Sequence, residues 1–175
     1  MAEYSDVIMR VTGPKTACLA FLLSTNWADV DDDLEEYFSE ENHSVDESPF
    51  SILFTGSVSW YLDAYSEKNY RRDQIVLKSG DRDYLETVGE KYSEYNTQSR
   101  SKIFGVDVRV NEVDVGAFME HGNHEDTDTS SGVVGNYLHY DKGEKINDDC
   151  PAELLIDVND AAFDWEEDFD EEDYE

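Results

Sequence analysis

The chain has 175 residues, 39% hydrophobic and 13% aromatic, which is enough for one packed core and predicts a single domain or a domain with an extension. It carries 43 acidic against 13 basic residues, a formal net charge of −30, so nucleic acid and anionic membrane surfaces are excluded as ligands by repulsion. No apolar run approaches the ~18 residues of a membrane-spanning helix, and the opening MAEYSD lacks the basic and apolar regions of a secretory signal, so the expected compartment is the cytoplasm.

Tyr4 to Val11 reads as a strand, with Val7, Met9 and Val11 on one face and Ile8 and Arg10 on the other. Thr12-Gly13-Pro14 marks a helix start, with Thr12 near the N-cap and Pro14 near the first helical position. The helix runs from Pro14 to Ser24 and turns Cys18, Leu19, Phe21, Leu22 and Leu23 mostly inward, which makes Cys18 a small core residue. Asn26 to Ser48 is acidic, with Leu34, Tyr37 and Phe38 at the spacing of a short amphipathic helix. Phe50 to Phe54 is strand-like, Gly56 suggests a bulge, and Val58, Trp60 and Leu62 resume the alternation. Tyr65 to Asp73 is polar and holds a basic island, Lys68, Arg71 and Arg72, before a short strand at Gln74 to Lys78.

Ser79-Gly80-Asp81 punctuates the chain, and a helix follows from Asp81 to about Tyr95, capped by Asp81 and striped by Leu85, Val88 and Tyr92. Gly89 weakens that helix by its propensity. Lys102 to Phe118 is the clearest β region: Val106, Val108 and Val110 alternate, and Val113 and Val115 resume after a phase change near Asn111. His121 to Gly132 is a polar loop, Val133 to Tyr140 a strand, and Asp141-Lys142-Gly143-Glu144 a turn. Beyond Pro151, Leu154, Leu155, Val158, Ala161, Ala162, Trp165 and Phe169 recur every three or four residues, a helical stripe. Glu153 to Val158 also suits a strand; the stripe favours the helix, and the strand stays open. The element order predicts an α+β fold, an antiparallel sheet with helices on one face, over residues 1–150 with an acidic insert at 29–47. Residues 151–175 form an acidic, aromatic extension, a C-terminal helix or tail.

The run from Ser51 to about Lys145 combines Ser59-Trp60-Tyr61 in a strand, Glu90-Lys91-Tyr92 closing a helix, the Val106 to Val110 strand and Gly135-Asn136-Tyr137 in a late strand. In that pattern, and in its opening Val11-Thr12-Gly13-Pro14, the chain resembles the YubB-type ferredoxin-like domain family of plasmid and phage proteins. The resemblance implies a ferredoxin-like antiparallel sheet and a mobile-element origin, and it implies no established chemistry. The acidic insert and the acidic tail depart from the family pattern.

Motifs for catalysis or metal binding are incomplete. Asp29, Asp31, Asp33 and Glu40 stand at the first, third, fifth and twelfth places of an EF-hand count, but Leu34 occupies the sixth, where the calcium loop needs Gly. Asp126, Asp128 and Ser130 make a second near-match, with Gly132 one residue late. His121 and His124, beside Glu120 and Glu125, have only the spacing of exposed loop histidines. Cys150 sits by Asp148 and Asp149, which should raise its pKa, and there is no GxSxG elbow, Walker loop or GxGxxG. No cofactor, no metal and no enzymatic activity are expected.

The informative feature is where the acid lies. Asp29 to Glu47 holds ten acidic residues and Asp160 to Glu175 ten more; no Lys or Arg occurs between Lys15 and Lys68 or after Lys145. A globule of this size is roughly 40 Å across, and duplex DNA of that length bears on the order of 24 charges, so the charge densities are comparable. Phe163, Trp165, Phe169 and Tyr174 interleave the tail's carboxylates, which suits a docking surface better than a solvating tail. The expected function is a nucleic-acid mimic that occupies the basic groove of a host DNA- or RNA-binding defence protein, a CRISPR effector or restriction enzyme. One phosphate-like row comprises Asp29, Asp31, Asp32, Asp33, Glu35, Glu36, Glu40 and Glu41; the other comprises Asp164, Glu166, Glu167, Asp168, Asp170, Glu171, Glu172 and Asp173, anchored by Trp165 and Phe169. The alternatives are an acidic adaptor or histone-chaperone-like binder of basic proteins, and a calcium- or metal-dependent enzyme.

Overall fold

Alternation at Val7, Met9 and Val11 makes β1 (Tyr4–Gly13) the centre of the fold, because those side chains are buried and both edges of the strand are paired. The computed structural model describes residues 4–25, 50–59, 61–64, 66, 73–114 and 132–157. Among them, β2 (Phe50–Ser59), β3 (Asp107–Asp114), β4 (Asn136–Asp141) and β5 (Glu144–Lys145) join β1 in one open sheet. The order is β2-β1-β3-β4-β5, with every neighbouring pair antiparallel. Three helices are described, α1 (Lys15–Leu23), α2 (Arg82–Tyr92) and α3 (Thr97–Phe104). The fold is α+β, and the open antiparallel sheet is consistent with the ferredoxin-like arrangement expected.

Register decides which residues share the core. Met9 lies opposite Phe54 and Val110, and Val11 opposite Ile52 and Val108, so all six project to one face. The helices cover that face with Cys18, Phe21 and Leu22 of α1, Leu85 of α2, and Ile103 and Phe104 of α3. Phe104 stands edge-on to Phe21 at 6.2 Å and to Tyr92 at 5.9 Å, the perpendicular geometry that aromatic quadrupoles favour. Cys18 is a core residue as expected, and burial pushes its thiol up to about 12.

Several expectations are corrected. Pro14 is the N-cap of α1 with no side-chain cap, and Thr12 stays in β1, where its hydroxyl meets Ser51 Oγ at 3.1 Å. Gly56 makes no bulge; it lies opposite Val7 in an unbroken register. Residues 74–78 form no strand and join no ladder, although the Ile75 amide donates to the Ile103 carbonyl. Asp81 caps α2 as expected, accepting from the Asp83 amide at 2.9 Å. That helix stops at Tyr92, and α3 takes over residues assigned to β: Asn96 Oδ1 caps it through the Ser99 amide at 2.8 Å, and Gly105 in the left-handed region closes it. The β region therefore starts at Asp107, not Lys102. The phase change near Asn111 arises because Asn111, Glu112 and Val113 are all buried, β3 being covered on both faces there. The Asp141–Glu144 turn is as expected, with Lys142 at φ 51° and Gly143 at φ 87° joining β4 to β5 in a two-residue hairpin. After Pro151 the described chain is a short 3-10 turn, Ala152–Leu154, and Ile156 then bridges Val133. Leu154 and Ile156 are buried and Leu155 is exposed, so this stretch follows a period of two; residues 158–170 of the proposed helix lie outside the described residues.

Gly89 is a packing requirement. A Cβ there would meet the backbone of Leu23 and Ser24 at 2.9 Å, where α2 crosses the end of α1. Gly89→Ala is expected to destabilise the fold by about 1–3 kcal/mol in chemical denaturation, despite a helix-propensity gain of roughly 1 kcal/mol. A more stable variant would show that the two helices do not approach this closely.

Candidate functional site

Every residue of the two acidic rows, and the anchors Trp165 and Phe169, lies outside the described residues. So do His121, His124, the two near-EF-hand runs other than Gly132, and the basic island at Lys68, Arg71 and Arg72. What the structure defines is the body between them. Its described residues include 17 acidic and 10 basic side chains, a balance of −7 out of −30. The described segments that precede the two rows in sequence lie on opposite faces of the sheet. Thr25, before the first, belongs to the helix layer, where its hydroxyl donates to the Phe21 carbonyl at 3.1 Å. Asp157, before the second, ends a strap of residues 146–157 on the other face.

Three side chains of the sheet, Arg10, Asn111 and His139, make polar contacts to that strap. Arg10 grips Glu153 with two bonds, Nε to Oε1 at 2.7 Å and Nη2 to Oε2 at 2.9 Å, while its Nη1 donates to Ser51. Asn111, fully buried, donates from Nδ2 to the Val133 and Leu154 carbonyls at 2.9 and 2.8 Å and accepts from the Gly135 amide at 3.0 Å. His139 lies between two carboxylates, with Nε2 at 2.6 Å from Asp107 and Nδ1 at 2.9 Å from Asp148. A neutral imidazole has one N–H and can donate to one carboxylate; the doubly protonated ring donates to both. The carboxylates approach opposite ring nitrogens, so the trio does not converge on a point, and no three potential ligands are arranged to hold a metal among the described residues.

The electrostatics of this face follow from burial and that pairing. Desolvation works to raise the pKa of Asp148, but the Tyr137 hydroxyl, His139 and Arg109 outweigh it and hold the carboxyl below its usual range. Tyr137 is pushed up by burial and by Asp148, and its hydroxyl meets no partner at hydrogen-bonding geometry among the described residues. Burial and then Asp148 raise the Cys150 thiol; Asp149, also expected to act, is not among the causes. On the core face, burial raises Glu112 although the Leu62 amide donates to it. A carboxyl with a depressed folded pKa stabilises the fold above its unfolded pKa, and that contribution is lost as pH falls through the folded value. Asp148→Asn should therefore lower the denaturation midpoint near neutral pH, and the difference should shrink as pH falls through the depressed folded pKa and the carboxyl becomes protonated. A pH-independent difference would assign Asp148 a packing role only.

No helix among the described residues is long and apolar enough to cross a membrane. No family model, no curated protein and no solved structure matches the chain. Nothing in the sequence alone groups Asn111, His139, Asp107 and Asp148 as a set. The available signal was slight: His139 shares a strand phase with Tyr137 and Asp141, but its partners come from a different strand and from the strap.

Proposed function

We propose that this chain is a nucleic-acid mimic, a phage- or plasmid-encoded inhibitor that occupies the basic groove of a host nucleic-acid-binding defence protein of the CRISPR-effector or restriction-enzyme class. One observation carries the reading: the charge is segregated. The described body is nearly balanced at −7, whereas the two stretches Asp29 to Glu47 and Asp160 to Glu175 hold ten acidic residues each and no Lys or Arg. An acidic surface that served only solubility would need no such division. A folded body with clustered carboxylates presents them to a Lys/Arg groove at a lower ordering cost than a free polyanion would.

The test is capture from a bacterial lysate on the immobilised full chain, followed by elution with salt and, separately, with duplex DNA. The expected result is a retained nucleic-acid-binding protein released by both. Retention indifferent to salt between dilute buffer and ~0.5 M, where screening shortens to a few ångströms, would sink the proposal, as would failure of DNA to compete. The adaptor reading separates on removal of residues 160–175: an adaptor acting through its tail loses all binding, whereas a mimic keeps the part carried by the first row.

A further inference from the structure

Arg100 is the most buried cation among the described residues, 4% exposed in the helix layer. Its Nη1 donates to Ser24 Oγ at 2.7 Å and Thr25 Oγ1 at 3.0 Å, its Nε to the Tyr95 carbonyl at 3.1 Å, and its plane lies 4.7 Å from the Phe21 ring. All of these partners are neutral. No carboxylate comes within 4 Å of the guanidinium among the described residues, and Nη2 makes no hydrogen bond there. Nη2 is nevertheless not sealed in protein, because Tyr137 Oη is the buried polar atom left without a partner among those residues. Desolvation lowers Arg100 to about 10, with Asp63 acting in the opposite direction from beyond ion-pair distance.

Arg100 and Asp63 both line a cleft of about 280 Å³, whose other walls include Ser59, Ser66, Ser93 and the apolar Val58 and Leu62. Asp63 presents a matching half-used group. Its Oδ1 accepts from the Thr97 amide at 3.0 Å and from the Thr97 hydroxyl at 2.9 Å, which leaves Oδ2 without a hydrogen bond among the described residues. A buried charge with no counter-charge in contact is costly, and a cleft lined by an arginine with an unused donor and an aspartate with an unused acceptor is complementary to a dipolar ion. The volume is near the lower end of small-molecule sites, roughly 300 Å³, and suits a compact ligand. A simple anion would have to approach a chain of net charge −30 and pass Asp63; a zwitterion avoids both penalties.

We propose that this cleft binds a free α-amino acid, its carboxylate on Arg100 Nη2 and its ammonium on Asp63 Oδ2. The site is independent of the acidic rows and of their target. The test is two-dimensional amide and arginine Nε NMR of the full chain, titrated with each of the common L-amino acids at millimolar concentration, and with acetate and methylammonium separately. At least one amino acid should give saturable shifts at Asp63, Ser93, Thr97 and Arg100, with acetate and methylammonium each much weaker. Asp63→Asn keeps an oxygen for both Thr97 bonds, so the fold is retained, and it should weaken amino-acid binding about tenfold or more, the scale of one charge-assisted bond. Arg100→Lys keeps the charge without the fork and should weaken binding similarly; should it fail to fold, Asp63→Asn decides alone. No amino acid binding, acetate binding as tightly as the best amino acid, or Asp63→Asn binding unchanged overturns the proposal.

Discussion

Replacing Asp29, Asp31, Asp32, Asp33, Glu35, Glu36, Glu40 and Glu41 by their amides is expected to weaken capture of the basic partner roughly a thousandfold. The figure follows from about 0.5 kcal/mol per exposed charge contact, so that eight lost carboxylates remove about 4 kcal/mol. The amides conserve side-chain volume, and the core of β1, α1 and α3 is untouched, so the thermal midpoint should hold while binding falls. The same treatment of Asp164, Glu166, Glu167, Asp168, Asp170, Glu171, Glu172 and Asp173 should cost a comparable amount. If a partner contacts both rows at separate places, the two losses should add in free energy. Binding isotherms at several salt concentrations check this: each neutralised row should also flatten the salt dependence. Full affinity after neutralising both rows would remove the mimic proposal outright.

Asn111→Asp is expected to be the most damaging conservative substitution in the body, at roughly 3–5 kcal/mol. The new carboxylate still accepts from the Gly135 amide, but the two Nδ2 bonds to the Val133 and Leu154 carbonyls become oxygen–oxygen contacts in a buried site. A buried, uncompensated carboxylate has a raised pKa, so it destabilises once ionised. Ionisation at this site destabilises, whereas ionisation of Asp148 stabilises; the loss caused by Asn111→Asp should therefore be greatest near neutral pH and shrink as acid protonates the new group, which restores one donor. Denaturant midpoints across that range, with hydrogen exchange of residues 146–157, would detect both the loss and the release of the strap. A uniform loss at all pH values would point to lost packing instead.

Much of the local structure was legible because it depends on short-range rules. The period-two run at Val7, Met9 and Val11 lies in the central strand, Asp81 caps α2, and Lys142-Gly143 turns the last hairpin. The misreadings share a cause. Ile103 and Phe104 sit beside a valine alternation and read as β, yet Asn96 and Gly105 bracket them as a helix, and the apolar pair faces the core in either form. Leu154 to Ile156 fits two periods at once over so few residues, and only the Val133 bridge decided between them.

Charge, by contrast, is a property of the chain itself. The net −30, its concentration in two stretches and the absence of basic residues within them follow from composition and order, and so does the functional proposal. The tertiary structure decided everything that depends on register and crossing. It set His139 between Asp107 and Asp148, tied Asn111 to Leu154 across 43 positions, pressed Gly89 onto the end of α1, and placed Arg100 in the cleft it shares with Asp63, with no carboxylate in contact among the described residues. These juxtapositions are set by strand register and helix packing summed over the whole domain, and a one-residue slip of a strand would move every such side chain to the opposite face.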